Sequence, residues 1–207
     1  KVTVLSYLEA CRLGGAVPLA FEIEPEAIAR AVSRQGDEGT HLILDFGKIR
    51  TGIGIVHRGL LMLTSTVDIG GKELDTALSA VYRDADTAEL IRLKNECGLL
   101  GTGDEKAVRD ALLKPVTALK QEIASRISYW GSRDHPTPID SIILCGGIAN
   151  LAGLPEFFTS ELGIQTEQAL VWKNIFVTAD TIPPITKRYS YGYATAAGLA
   201  LGGFTGT

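Results

Sequence analysis

The chain has 207 residues, of which 45% are hydrophobic and 21% charged, and its net charge is -4. This composition is that of a globular protein and excludes a disordered or fibrous chain. The 20 basic residues are scattered among 24 acidic ones, so we expect no nucleic-acid partner. The apolar runs are shorter than the ~20 residues that a bilayer span needs, which predicts no transmembrane helix. Three widely spaced cysteines, Cys11, Cys97 and Cys145, are predicted to be reduced core thiols.

The first forty residues are predicted to contain two helices with a strand between them. Leucine spacing favours a helix over residues 2–13 that ends at Gly14-Gly15, where a left-handed cap costs little. A strand over residues 17–23 follows. Pro25 then opens a helix over residues 26–34, since a proline is tolerated in the first turn.

An antiparallel meander is predicted next, after a polar linker over residues 35–39. Three β-like runs cover residues 41–46, 52–57 and 60–66, and Arg58-Gly59 forms the turn between the last two.

Helices are predicted from about residue 72 to residue 131. Asp86 and Glu89 form a capping-box pattern, Gly98 is a stop, and the helical pattern restarts near Asp104.

The last third of the chain returns to a strand and then to helices. Residues 141–145 form a short apolar run that is typical of a buried strand, and Gly146-Gly147 ends it. A helix is predicted from Pro155 to Gly163, and another over residues 190–203. The order of strands and helices places the chain in the α/β class.

The turn after the first β-like run carries the most informative polar residues. Asp45 ends the run, and Gly47 and Thr51 follow before the next strand. In such a hairpin the carboxylate can hold Mg²⁺ through water while backbone N–H groups face phosphate oxygens. Asp and Gly also suit ordinary tight turns, so Asp45 is either a ligand of a metal-bound water or a turn-capping carboxylate.

Two glycine pairs, Gly70-Gly71 and Gly146-Gly147, each follow an apolar segment and precede a helical one. Without Cβ atoms the backbone can approach a purine and a ribose, and a helix N-terminus offers N–H donors to a phosphate. Any tight turn would also accept these glycines. The nucleotide hypothesis therefore requires that the turn after Leu44 and the glycine pair after Cys145 converge on one pocket.

Several segments in a fixed order resemble the superfamily of sugar kinases, heat-shock chaperones and actin. Further segments make the resemblance strongest to the PilM family of type IV pilus proteins, with the cell-division protein FtsA next. The superfamily segments are Glu24-Pro25 with Ala27, the Asp45 hairpin, Asp68 to Gly71, and Gly146-Gly147 with Asn150 and Leu151; those that point to PilM are Leu93 to Gly98, Gln121 to Ile123, Tyr129-Trp130 and Tyr193 to Leu201.

The resemblance implies the C-terminal portion of an actin-like, ribonuclease H-like ATPase fold, as a fragment of a longer protein. Residues 1–39 would end an inserted subdomain and contribute to the first lobe. Residues 40–207 would form the second lobe, with a helical subdomain at about 68–131 and a terminal helix that returns toward the first lobe.

The resemblance also implies ATP and Mg²⁺ as cofactors and Glu24 and Asp45 as catalytic residues, with Asp45 on the metal through water. Glu24 could instead favour the positive end of a helix dipole, and Lys94 could be a solvated side chain. Relatives place an acidic residue three positions before this lysine, where this chain has Ile91. The implied nucleotide contacts are Asp45, Gly47, Thr51, Gly70, Gly71, Lys94, Gly146, Gly147 and Asn150.

The function implied is that of a cytoplasmic scaffold, peripheral at the inner membrane, with at most slow ATPase activity. Its partner would be the cytoplasmic tail of an inner-membrane pilus protein of PilN type, with a pilus motor ATPase as a further associate and self-association left open. Alternatives are a small-molecule kinase or phosphatase, an FtsA-like membrane-tethered protein, and a module that binds no nucleotide. His41, His57 and His135 show no metal spacing and no triad context with a Ser or Cys nucleophile, so they are predicted to be structural or surface residues. Trp130 and Trp172 are predicted to pack in the core or at an edge rather than to stack on bases, since no basic aromatic stripe surrounds them.

Overall fold

The computed structural model describes residues 2–34, 36–133, 137–176 and 184–205, with the side chains of Phe204 and Thr205 left out. A sheet of five strands forms its centre, in the order β3-β2-β1-β4-β5. Strands β1, β2 and β3 form an antiparallel meander, and β4 and β5 run parallel to β1. The strands are β1 (Thr40–Phe46), β2 (Thr51–His57), β3 (Leu60–Val67), β4 (Ser141–Cys145) and β5 (Thr166–Gln168).

Eight α-helices surround the sheet in the described ranges, and a π-helical turn (Leu93–Cys97) continues α4. Short 3-10 segments precede α5, follow β4 and precede α8. The helices are α1 (Val2–Leu13), α2 (Glu24–Val32), α3 (Gly71–Val81), α4 (Thr87–Arg92), α5 (Lys106–Gly131), α6 (Leu154–Leu162), α7 (Lys187–Ser190) and α8 (Ala194–Thr205).

The two faces of the sheet are covered by different kinds of side chain. Alternate residues of a strand point to opposite faces, so Leu42 and Leu44 lie on one face of β1 and Ile43 on the other. On the first, which we call the aliphatic face, α3, α5 and α6 bury large residues such as Leu119 and Phe158. On the second, the small-residue face, α2 and α8 pack through alanines and Gly198.

Most of the predicted elements are confirmed, including the meander, the helices between residues 72 and 131 and the parallel-type strand. The Asp86 carboxylate accepts the Glu89 N–H at 2.8 Å, which confirms the cap. Gly98 adopts a φ of 49° where the π-helical turn ends, which explains the stop. Pro25 lies in the first turn of α2 as predicted.

Three predictions about the fold are corrected. Residues 17–23 form no strand, because they hydrogen-bond to no neighbouring strand among the described residues and are largely exposed. Strand β5 was not predicted, since its three residues are mostly polar. Cys97 and Cys145 are buried, but Cys11 is only partly covered because α1 buries none of its residues.

None of the helices within the described ranges is long and apolar enough to span a membrane.

Candidate functional site

The turn after β1 and the glycine pair after β4 meet at the carboxyl end of the sheet, as the sequence hypothesis requires. Strands β1 and β4 run parallel and adjacent, with Asp45 directly opposite Cys145. Gly146 has a φ of 84°, and a Cβ atom there would lie 2.6 Å from both Asp45 Oδ1 and the Phe46 carbonyl oxygen. Glycine is therefore needed at this position for both its conformation and its close contact.

The other glycine pair packs against the same turn. The Gly71 N–H donates to the Gly47 carbonyl at 3.0 Å, and the Lys72 N–H donates to the Lys48 carbonyl at 2.8 Å. A Cβ atom on Gly70 would lie 2.7 Å from the Arg50 backbone nitrogen. Both glycine pairs thus bring their loops against the β1–β2 turn.

One cavity of about 580 Å³ lies between this turn and the start of α2, and we call it the acidic cavity because Glu24 and Asp45 line it. The Asp45 carboxylate is half-buried and accepts no hydrogen bond from the described residues. Burial raises the pKa of Asp45, the negative charge of Glu24 raises it further, and the nearby Arg50 opposes both effects. Glu24 Oε1 accepts the Thr195 hydroxyl of α8 at 3.2 Å.

These two carboxylates fit a Mg²⁺ ion that keeps most of its water ligands. Carboxylate oxygen is the donor that Mg²⁺ prefers, and an ion held by one or two carboxylates retains several waters. The raised pKa of Asp45 indicates that burial and Glu24 disfavour its negative charge more than Arg50 compensates it. Groups of three or more His, Cys, Asp or Glu residues suited to a metal do not occur within the described ranges. The donor set therefore fits a hydrated ion rather than a complete protein cage.

A second cavity of about 660 Å³ adjoins the first, and we call it the glycine cavity because Gly71 and Gly147 line it. Lys48 borders both cavities and so marks the place where they meet. A Cβ atom on Gly147 would meet no atom within 4 Å, so this glycine faces open space. Other lining residues include Lys94, Asn150, Arg188 and Tyr189.

Lys94 and Asn150 reach the glycine cavity in constrained positions. Lys94 is 6% exposed and forms an ion pair with Asp75 of α3, so the interpretation of Lys94 as a solvated side chain is wrong. The Asn150 amide donates to the carbonyl oxygens of Gly147 at 3.2 Å and Arg188 at 2.9 Å. Its Oδ1 atom is buried and has no hydrogen-bond partner in the described part of the chain.

Three predicted contact residues lie behind the cavities. Thr51 is fully buried and its hydroxyl donates to the Ile69 carbonyl at 2.7 Å, which is a structural role. Gly70 and Gly146 pack against the β1–β2 turn, and neither they nor Thr51 line the two cavities. Within each pair, the first glycine thus allows the close approach of two loops, and the second faces the cavity.

Three cationic residues at the cavities, Lys48, Arg50 and Arg188, were not predicted. Lys48 follows Gly47 directly, so its place in a phosphate-facing turn was a signal available in the sequence. Arg188 lies in α7, and its guanidinium donates to the Asn95 carbonyl at 3.3 Å. No motif in the sequence marks Arg188.

The histidine and tryptophan predictions are confirmed in part. His57 hydrogen-bonds the Thr40 hydroxyl at 2.9 Å and Trp130 donates to the Thr137 carbonyl at 2.7 Å, both structural contacts. Trp172 packs against the rings of two neighbouring aromatic residues. The expectation that His41 has no serine partner is wrong, because its ring joins Asp37 to Ser141. His135 lies outside the described residues.

Solved structures of actin-like proteins share this fold. The PilM-PilN type IV pilus biogenesis complex matches with a TM-score of 0.76 and 22% identity, covering 97% of this chain and 57% of that one. MreB5 of Spiroplasma citri bound to ADP matches with a TM-score of 0.71 and 15% identity, covering 99% and 66%. Ta0583, an archaeal actin homolog, matches with a TM-score of 0.64 and 14% identity, covering 93% and 57%. The fold is that of the actin-like ATPases.

A sequence profile narrows this class to one family. The profile of the type IV pilus assembly protein PilM matches residues 18–204, nearly the whole chain. The chain therefore belongs to the PilM family. It spans 57% of the chain in the PilM-PilN structure that it resembles.

Proposed function

We propose that the protein binds ATP with Mg²⁺ across the two adjoining cavities. The observation that carries this proposal is the position of Lys48, which borders both the acidic cavity and the glycine cavity. Phosphate groups at this border would meet the Lys48 ammonium and the backbone of Gly47. The adenosine part would then occupy the glycine cavity, where Gly147 leaves room for it.

The remaining site residues have distinct roles in this proposal. Lys94, held by Asp75, and Asn150, with its unpaired carbonyl oxygen, would contact the adenosine part. Asp45 would hold Mg²⁺ through water, and the ion would neutralise phosphate charge. Glu24 faces the same cavity and would order a water beside the terminal phosphate.

Turnover in the whole protein would be slow at most. Phosphoryl transfer depends on charge stabilisation and positioning from both sides of a cleft, and among the described residues Glu24 is the one candidate to order the attacking water. We infer that residues 1–39 contribute to a first lobe and residues 40–207 form the second. The cleft would lie between these two lobes.

We further infer that nucleotide binding controls a scaffold of the type IV pilus machine. Membership in the PilM family and the likeness to the PilM-PilN complex support a PilN-type tail as partner. The protein would then be cytoplasmic and peripheral at the inner membrane through that partner, with the pilus motor ATPase as a further associate. The same family membership favours this scaffold over a small-molecule kinase or phosphatase.

Calorimetric titration of the full-length protein with Mg-ATP tests the nucleotide site. Gly147→Val is expected to weaken binding at least tenfold, because the new side chain would occupy the glycine cavity, whose backbone cradle needs a bare glycine. Gly131→Val serves as the matched control, since a Cβ atom there also meets nothing within 4 Å but lies at the end of α5. Absence of any binding heat with the unchanged protein would refute the nucleotide proposal.

The scaffold proposal has a separate test. The affinity of the full-length protein for a peptide of the PilN-type cytoplasmic tail is measured with and without Mg-ATP. We expect a difference of roughly fivefold or more, which is the lower range of allosteric coupling. Equal affinities would show that the nucleotide does not control this partner.

A further inference from the structure

A third cavity lies at the opposite end of the sheet, where β1 and β4 begin. Its volume is about 420 Å³, and we call it the basal cavity. Val32, Ile143 and Ala169 give it an apolar floor, whereas Arg34 and Lys173 bring two positive charges to its walls. The acidic and glycine cavities, at the carboxyl end of the same strands, have none of these residues in their linings.

The positive charge of Lys173 is only partly compensated in this cavity. Its side chain is half-buried and forms no ion pair with any carboxylate in the described ranges. Burial lowers the pKa of Lys173, and the positive charge of Arg34 lowers it further, while Glu167 and Asp37 only partly oppose this. An anion bound between the two cations would relieve both effects.

Two hydroxyl-bearing residues, Ser33 and Ser141, line the same cavity. Ser33 is 8% exposed, and its Oγ atom is buried without a hydrogen-bond partner in the described part of the chain. A buried hydroxyl without a partner is costly, so a ligand oxygen that reached the Ser33 hydroxyl would relieve this cost. The Ser141 hydroxyl lies in the same lining and bonds His41 Nδ1 at 2.8 Å.

The two carboxylates that line the basal cavity, Asp37 and Glu167, leave its two cations available to a ligand. Asp37 accepts the Gly39 N–H at 2.8 Å and bonds His41 Nε2 at 3.1 Å, so it is held within the wall. Glu167 is exposed at the rim. The side chains left to meet a ligand are therefore Lys173, Arg34 and Ser33.

We propose that the basal cavity binds a phosphorylated small molecule. Two cations and the Ser33 hydroxyl suit the oxygens of a tetrahedral phosphate monoester, which accepts several charge-assisted hydrogen bonds at once. The cavity is larger than a phosphate group alone, and its apolar floor would take the organic part. The ligand would thus bind at the far end of the sheet from the nucleotide.

Titration of the full-length protein with phenyl phosphate, in the presence and absence of saturating Mg-ATP, tests this site. Lys173→Met is expected to weaken phenyl phosphate binding at least about tenfold, the loss that corresponds to one charged hydrogen bond. Lys120→Met is the matched control, because Lys120 pairs with Glu161 away from the cavity. Inorganic phosphate should bind more weakly than phenyl phosphate, since it leaves the apolar floor uncovered.

A second variant separates binding from folding. Ser33→Ala removes an unpaired buried hydroxyl, so its melting temperature should equal or exceed that of the unchanged protein, while phenyl phosphate binding falls several-fold.

Lys48→Met should weaken Mg-ATP binding but leave phenyl phosphate binding unchanged, so the two proposals fail independently. Unaltered affinity in Lys173→Met, or equal affinity for benzoate and phenyl phosphate, would overturn the assignment.

Discussion

Helices pack against the two faces of the sheet through different kinds of side chain. The aliphatic face fills the space under α3, α5 and α6 with large side chains that are fully buried, among them Leu112, Leu119 and Phe158. The small-residue face instead brings α2 and α8 together closely, and a Cβ atom on Gly198 would lie 1.7 Å from the Ala27 carbonyl oxygen.

The aliphatic face therefore contributes most of the stability, whereas the small-residue face positions the residues of the candidate site. Large buried side chains supply most of the hydrophobic free energy, which is proportional to the apolar area removed from water. The small-residue face buries fewer large side chains, but the close contact of α2 and α8 fixes Glu24 at the start of α2 beside Thr195 of α8. Asp45 lies on this same face of β1, so both carboxylates of the acidic cavity depend on it.

The largest expected loss of stability is on the aliphatic face. Phe158→Ala should lower the free energy of unfolding by about 3–5 kcal/mol, because it leaves a cavity in the core. Phe157→Ala is the matched control, since the neighbouring ring is only partly buried. Urea denaturation of both variants measures the difference, and equal losses would contradict the assignment of Phe158 to the core.

A smaller loss is expected at the contact of α2 and α8. Gly198→Ala should cost about 1–3 kcal/mol, since the added methyl group forces the two helices apart. It should also weaken Mg-ATP binding by the full-length protein, because Glu24 moves with α2. Gly203→Ala, in the same helix but with open space around it, should gain up to about 1 kcal/mol. Similar melting temperatures for the two variants would argue against a tight helix contact.

The glycine pair after β4 is expected to show two different sensitivities. Gly146→Ala should cost at least ~1–2 kcal/mol, the penalty for a left-handed residue with a side chain, and its contact with Phe46 adds to this. Gly147→Ala should stay within about 0.5 kcal/mol of the unchanged protein, as its Cβ atom meets no neighbour. Thermal unfolding of both variants checks this, and a reversed order would mean that the two glycines exchange roles.

The smallest expected effect on stability concerns Asp45. Its pKa is raised in the folded protein, so the folded state holds this proton more tightly, and stability falls as pH rises from the unfolded pKa to the folded one. Asp45→Asn should therefore raise the melting temperature at neutral pH without nucleotide, and it should abolish the added stabilisation by Mg-ATP. Melting curves of Asp45→Asn and of the unchanged protein at pH 4 and pH 7 measure the effect. A lower melting temperature for Asp45→Asn than for the unchanged protein at pH 7 would contradict the prediction.

Much of the fold could be predicted because its signals are local. Strand periodicity, the Asp86 cap, the proline at the start of α2 and the Gly98 stop each depend on a few consecutive residues. The predicted strand over residues 17–23 failed because a strand needs a hydrogen-bonding partner, and the described sheet offers none to this segment. Strand β5 was not predicted because its three residues are polar. It forms because it pairs with the neighbouring strand β4.

The candidate site could be predicted at the level of loops but not of side chains. The order of Asp45, the Gly70-Gly71 pair and the Gly146-Gly147 pair indicated which turns would converge, and the parallel pairing of β1 and β4 places two of them together. Whether Thr51 faced solvent or the core was decided only by packing.

The sequence by itself determined the class of fold, the family and the loops that meet at the candidate site, because strand alternation and glycine turns are properties of neighbouring residues. Only the tertiary structure decided that Lys94 is buried against Asp75 and that His41 lies between Asp37 and Ser141. Burial and partners depend on residues that are distant in the chain. The physical reason is that desolvation and hydrogen bonding act through space.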